Sequence, residues 1–209
     1  MIAIIDYGVG NLFSLKSSLA AIGREAVVTG DRAVLRAASH VILPGVGAFG
    51  DAAARLRAAG MAEAVLEAAA AGKPVLGICL GMQLLLERSF EYGEHPGLGL
   101  IPGEVRPIRD VIPAGLAVPH MGWNALRFPA ERPRSPIFAA LEEGEHVYFV
   151  HSYAGFACGE GLTAWTEYGA PLTAAVQRGN VYGTQFHPEK SGMWDCGFSR
   201  HSADWRVEA

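Results

Sequence analysis

The first half of the chain is punctuated by four short apolar runs: Ile2–Ile5, Ala26–Val28, Val41–Leu43 and Val75–Ile78. They are nearly continuous rather than alternating, which is how strands covered on both faces read. Helical patterns separate them. Leu12, Leu15, Leu19 and Ile22 recur at three- and four-residue steps on one face. Asp31 suits the cap of a helix running to about Ala37. Met61, Val65 and Leu66, followed by a run of alanines, predict another amphipathic helix, which Gly72 stops. This alternation predicts a parallel, doubly wound sheet.

Glycine and proline become frequent from Pro96 to Pro119, and strands dominate the rest. The expected strands are Gly103–Ile108, Glu145–Val150, Thr163–Tyr168, Leu172–Gln177 and Val181–Phe186, the last two joined by the hairpin turn Arg178-Gly179-Asn180. No internal repeat occurs, and no linker is long enough to divide the chain. The expectation is one α/β domain over residues 1–209. Its central sheet is mainly parallel and flanked by helices, with antiparallel strands added in the second half.

Composition narrows the class of partner. The chain has 209 residues, half of them apolar, and a net charge of −4. That balance gives no electrostatic case for nucleic acid or an anionic membrane surface. No apolar run approaches the ~18 residues of a membrane span. Met1 leads directly into an apolar strand, without the basic and apolar segments of a signal peptide. The three cysteines, 79, 158 and 196, lack CxxC spacing. They suit free thiols in a reducing cytoplasm better than disulfides or a zinc site.

One cysteine stands in a frame with chemical meaning. Cys79 follows the run Pro74–Ile78 and precedes a helical pattern of leucines, with Gly77 and Gly81 two residues to either side. A strand turning sharply into a helix strains its central residue and exposes it at the carboxyl edge of the sheet. It also sets the sulfur at a helix N-terminus, where thiolate is favoured over thiol. A buried core cysteine is the bland alternative, and it stands for Cys158 and Cys196, which have no such frame.

A thiolate nucleophile needs a proton carrier and a group to orient it. Of the seven histidines, His187 ends an expected strand and continues as Pro188-Glu189, so Glu189 can orient the imidazole from the same loop. His120, His146 and His151 compete for the role. Acyl transfer also needs two donors for an oxyanion. The N–H of Leu80 is one candidate, and an N–H near Val46 in the loop Pro44-Gly45-Val46-Gly47-Ala48-Phe49-Gly50 is the other. That loop is not a Walker motif, and Asp6–Asn11 lacks the third glycine of a dinucleotide fingerprint. Pro119–Asn124, with Met121 and Trp123 on an expected loop, reads as core or as interface.

Taken together, these strings resemble the class I (triad) glutamine amidotransferases. They are Asp6–Asn11, Pro44–Gly50, Gly77–Leu84, Pro119–Asn124, Tyr148–Tyr153 and Phe186–Ser191, and they fall in family order over residues 1–191. The resemblance implies that Cys79, His187 and Glu189 hydrolyse glutamine to glutamate through a thioester. Gly45, Val46, Gly47 and Leu80 would shape the oxyanion site, and Gln83, Ser152 and Tyr153 would hold glutamine. No cofactor or metal is implied. The Pro-Gly-Val-Gly and Pro-His-Met-Gly-Trp-Asn strings point to the branch that passes ammonia to a cyclase of histidine biosynthesis. By the same resemblance that partner would be a (β/α)8 barrel bound as a heterodimer. Asn11, His120, Met121 and Trp123 would lie at its contact.

After Ser191 the chain departs from the family's leucine-rich closing helix. Trp194, Phe198 and Trp205 can still share a helical face around His201, interrupted by Gly197.

Overall fold

A computed structural model describes residues 1–139 and 141–191. The helical face expected around Trp194, Phe198 and Trp205 lies outside the described residues, as does Cys196. The first half contains β1 (Ile2–Ile5), α1 (Leu12–Ala21), β2 (Ala26–Thr29), α2 (Arg32–Ala37), β3 (His40–Leu43), α3 (Phe49–Ala58), α4 (Met61–Ala70), β4 (Val75–Ile78) and α5 (Leu80–Leu85). The second half adds β5 (Arg88–Ser89), β6 (His95–Pro96), β7 (Glu104–Pro107), β8 (His120–Ala125), β9 (His146–His151), β10 (Tyr153–Phe156), β11 (Leu162–Glu167), β12 (Pro171–Arg178) and β13 (Val181–Thr184).

The central sheet has seven strands in the order β11-β12-β13-β4-β3-β1-β2. The five from β13 to β2 are parallel, and β12 and β11 extend them antiparallel. A four-stranded sheet, β10-β7-β5-β6, and the ribbon β8-β9 complete the strands. The continuous apolar runs arise because both sheet faces are covered. Ala3, Ile5, Val41 and Leu43 point into a core with Phe49, Leu56, Met61 and Val65. Ile2, Ile4, Ile42 and Leu76 point into the opposite core with Leu15, Leu19, Phe149 and Phe186.

Several local expectations hold for the reasons given. Asp31 caps α2, its Oδ1 accepting from the Ala33 N–H at 2.7 Å. Gly72 ends α4 in the left-handed region at φ +75°. Others need correction. α3 starts at Phe49, so the glycine-rich loop after β3 closes at Ala48. Its buried stripe is Phe49, Ala52, Ala53 and Leu56, and the two alanines hide the period. Leu66, expected on the buried face of α4, is 40% exposed, because the stripe runs through Met61, Val65 and Ala68. The segment read as a loop at Pro119–Asn124 is largely strand β8, antiparallel to β9. β13 ends at Thr184, two residues before Phe186.

Close packing of glycines joins the carboxyl ends of β3 and β4 to α5. A Cβ at Gly81 would stand 1.8 Å from the Leu43 carbonyl oxygen, and one at Gly77 would stand 2.6 Å from the Gly81 oxygen. Neither neighbour is a flexible side chain, so the backbone itself would have to move. Gly81→Ala is therefore expected to destabilise the fold by about 3 kcal/mol or more, read as a lower urea midpoint. A wild-type midpoint would contradict this packing.

Candidate active site

Strands β13, β4, β3 and β1 are side-by-side neighbours in the sheet, so the loops at their carboxyl ends converge on one edge, where open α/β sheets bind ligands. Cys79 follows β4 with φ 55° and ψ −112°, a region that few non-glycine residues enter. Its N–H donates to the Thr184 carbonyl at 2.7 Å, and its own carbonyl accepts from the Gln83 N–H at 3.2 Å. These bonds, with Gly77 and Gly81 packed close, hold the strained turn.

His187 lies past β13 in a loop pinned to β9. Its N–H donates to the Tyr148 carbonyl at 3.0 Å. Ser191 Oγ accepts from the Tyr148 N–H at 3.0 Å and donates to the His187 carbonyl at 2.6 Å. The loop is thus tied down within the described residues, before the divergent tail begins. The His187 ring places Nδ1 2.8 Å from Glu189 Oε1, with both side chains nearly buried. Burial, the largest influence, lowers the imidazole pKa. Hydrogen bonds to Cys79 and Glu189, and their charges, outweigh it and raise the pKa to about 9.

The competing histidines are committed elsewhere. His151 is buried and engages the Tyr153 carbonyl through Nδ1 at 2.9 Å, and burial pushes its pKa down to about 3. His120 is fully buried, stacked between Phe149 and Tyr168 and 3.0 Å from His151. His146 is exposed at the start of β9.

A cavity of about 380 Å³ opens above Cys79 and His187. Val46, Gly47, Leu80, Gln83, Ser152 and Tyr153, all expected from sequence, line it. Gly45 lies beneath, where an added Cβ would stand 2.8 Å from the Gly81 nitrogen. Its lack of a side chain lets the Val46 loop reach the helix N-terminus. Tyr7 Oη donates to the Pro44 carbonyl at 2.8 Å and anchors the loop to the end of β1. A larger cleft of about 650 Å³, lined by Phe128, Arg132, Arg134 and Glu160, contains neither cysteine nor histidine. Among the described residues, no group of three or more His, Cys, Asp or Glu is disposed to hold a metal.

Two polar residues were missed in the sequence. Glu91 also lines the cavity, its carboxylate accepting from the Phe49 N–H at the start of α3. It stands in none of the motifs. Gln185 is fully buried and approaches Cys79, but it sits where a strand was expected to continue. Both amide hydrogens of Gln83 are taken, by the Tyr153 carbonyl and by Gln185 Oε1.

The residues assigned to a partner contact divide. Asn11 is exposed, with Oδ1 capping α1. Met121 and Trp123 are 61% and 53% exposed on one face of β8. His120 is a correction: strand alternation turns it inward, where it is buried and cannot touch a partner directly.

The class-I glutamine amidotransferase model matches residues 3–194. The "Imidazole glycerol phosphate synthase subunit HisH" of Moorella thermoacetica is 51% identical over 191 residues, covering 91% of this chain and 88% of its own. Its namesake in Wolinella succinogenes is 48% identical, covering 91% and 93%. The chain belongs to the class-I glutamine amidotransferases, in the HisH family. Solved members of the wider class share the fold. A "glutamine amidotransferase" crystal structure superposes with a TM-score of 0.72 at 21% identity, covering 97% of this chain and 100% of its own. PurLQS from Thermotoga maritima gives 0.70 at 22%, covering 97% and 95%.

For this class I chain, the raised His187 pKa sets a pH dependence of stability. A folded-state pKa of about 9 against the ordinary 6.5 stabilises the fold fully below pH 6.5, and the contribution disappears as pH rises through 9. Its size is on the order of 3 kcal/mol. Urea unfolding between pH 6 and pH 10 should show this loss, and Glu189→Gln should remove much of it. Equal pH profiles for wild type and Glu189→Gln would contradict the coupling.

Proposed function

We propose that this chain is the glutaminase subunit of an imidazole glycerol phosphate synthase, with Cys79, His187 and Glu189 as its catalytic residues. The observation that carries this reading is the imidazole paired with the Glu189 carboxylate in the same cavity as Cys79, which sits on a strained strand-to-helix turn. The near 50% identity with HisH subunits supports the assignment of the pathway.

The Cys79 thiolate attacks the side-chain amide carbon of glutamine. The N–H of Leu80 and an N–H near Val46, in the loop of Gly45 and Gly47, receive the oxyanion. Protonated His187 gives its proton to the departing nitrogen, and ammonia leaves behind a glutamyl thioester. Water then attacks the thioester and passes a proton to His187. Glutamate leaves and the imidazolium–thiolate pair is restored. Glu189 fixes the imidazole tautomer and favours its charged form throughout.

Ser152, Tyr153 and the Gln83 carbonyl oxygen hold the glutamine, and the Glu91 carboxylate suits its α-ammonium group. The products of the partner's reaction are imidazole glycerol phosphate and an aminoimidazole carboxamide ribotide. The partner is a (β/α)8-barrel cyclase that receives the ammonia within a heterodimer, docked on the face of Asn11, Met121 and Trp123. Exposed aromatic anchors of this kind dominate interface energies. No described helix is long and apolar enough to cross a membrane, and the reading places the heterodimer in the cytoplasm.

Two outcomes test this. The chain co-purified with the cyclase should hydrolyse glutamine, faster when the cyclase ligand is present and slowly without the partner. Equal rates in all three states would contradict control by the partner. Cys79→Ala should keep the fold and the heterodimer while losing glutaminase activity by at least about a thousandfold. Ammonia release at the wild-type rate would exclude Cys79 as nucleophile.

A further inference from the structure

Gln185 is completely buried, and its backbone N–H donates to the Ala174 carbonyl at 2.8 Å. Its side chain lies between Gln83 and Cys79. A main-chain carbonyl oxygen can only accept, so the Gln83 group 3.0 Å from the Tyr153 oxygen must be the amide nitrogen. The second hydrogen of that nitrogen points to Gln185 at 2.9 Å and requires an oxygen there. The Gln185 nitrogen is therefore turned to the Cys79 sulfur, 3.6 Å away. Reversing either amide would set donor against donor or acceptor against acceptor in a buried site, leaving polar groups unmet. The orientation thus follows from the neighbours rather than from the choice of atom names.

We propose that Gln185 is a positioning residue for the Cys79 sulfur, with its N–H aimed by the Tyr153 carbonyl through Gln83. The proposal rests on Cys79 being the nucleophile. When His187 takes the thiol proton, the Gln185 N–H remains as a donor to the sulfur anion. Hydrogen bonding to the charged form favours that form and fixes where it sits. Tyr153 also lines the substrate cavity, so the same short chain of bonds links a glutamine-contacting wall to the reacting atom.

The test is alkylation of Cys79 by iodoacetamide across pH, in the full chain, for wild type, Gln185→Met and Gln185→Glu. Methionine keeps the length and removes the donor, and glutamate sets an acceptor against the sulfur. Gln185→Met should slow alkylation at pH 7 about tenfold and move the rising limb of the profile to higher pH, with Gln185→Glu more severe. In the heterodimer, kcat should fall with little change in KM. Alkylation at the wild-type rate and pH profile in both variants overturns the proposal. Should both variants fail to fold, nuclear magnetic resonance of the wild-type side-chain amide decides. The Gln185 NH2 protons should shift between wild type and Cys79→Ala, and unchanged shifts overturn the proposal. A wild-type heterodimer without glutaminase activity would instead refute the function, and the alkylation result would still judge Gln185.

Discussion

The contact between the α-carbon of Gly81 and the carbonyl oxygen of Leu43 decides how near α5 can come to the end of β3. With any side chain at position 81 the two backbones would separate. The loop carrying Val46 and Gly47 would then leave the first turn of α5. Gly45 makes the matching approach from the other side, against the Gly81 nitrogen. These two glycines bring the Cys79 turn and the neighbouring loop to one cavity, and the left-handed backbone of Cys79 is kept in place by that packing. The geometry needed for an oxyanion site is thus a property of close backbone packing before it is a property of any polar side chain.

Electrostatics then works on the buried sulfur, imidazole and carboxylate. Burial on its own would keep His187 neutral. The flanking sulfur and Glu189 reverse this, so the ring carries a proton at neutral pH. An imidazolium beside a cysteine sulfur is the state that a leaving nitrogen requires, since it must be protonated as it departs. His151, in the same cavity wall, is driven the other way because burial dominates and its hydrogen bond to the neutral Tyr153 carbonyl does not offset it. Two histidines at strand ends thus take different charge states from their surroundings, His187 cationic and His151 neutral, and only His187 has a carboxylate partner.

The parallel half was legible in the sequence because strands covered on both faces must be apolar throughout, and the strings at their carboxyl ends are short and local. Cys79 with its glycines and His187 with Glu189 are each contained within five residues, so adjacency in sequence carried most of the geometry. What was hidden has identifiable causes. α3 buries Ala52 and Ala53, which carry almost no hydrophobic signal. β8 contains Gly122 and turns Met121 and Trp123 outward, so its alternation runs opposite to an ordinary amphipathic strand. His120 was assigned by its string to the surface, but a period of two places it opposite Met121. Gln185 was invisible because its orientation depends on Gln83 and Tyr153, which no local pattern connects to it.

In the proposed mechanism Cys79 forms a covalent bond to the side-chain carbon of glutamine. A glutamine analogue bearing an electrophile at that carbon tests it most directly, with the modified peptide identified by mass spectrometry in the heterodimer. One adduct is expected, on Cys79, formed more slowly when glutamine competes and absent in Cys79→Ala. An adduct on Cys158 or on no residue, or one at Cys79 indifferent to glutamine, would contradict it.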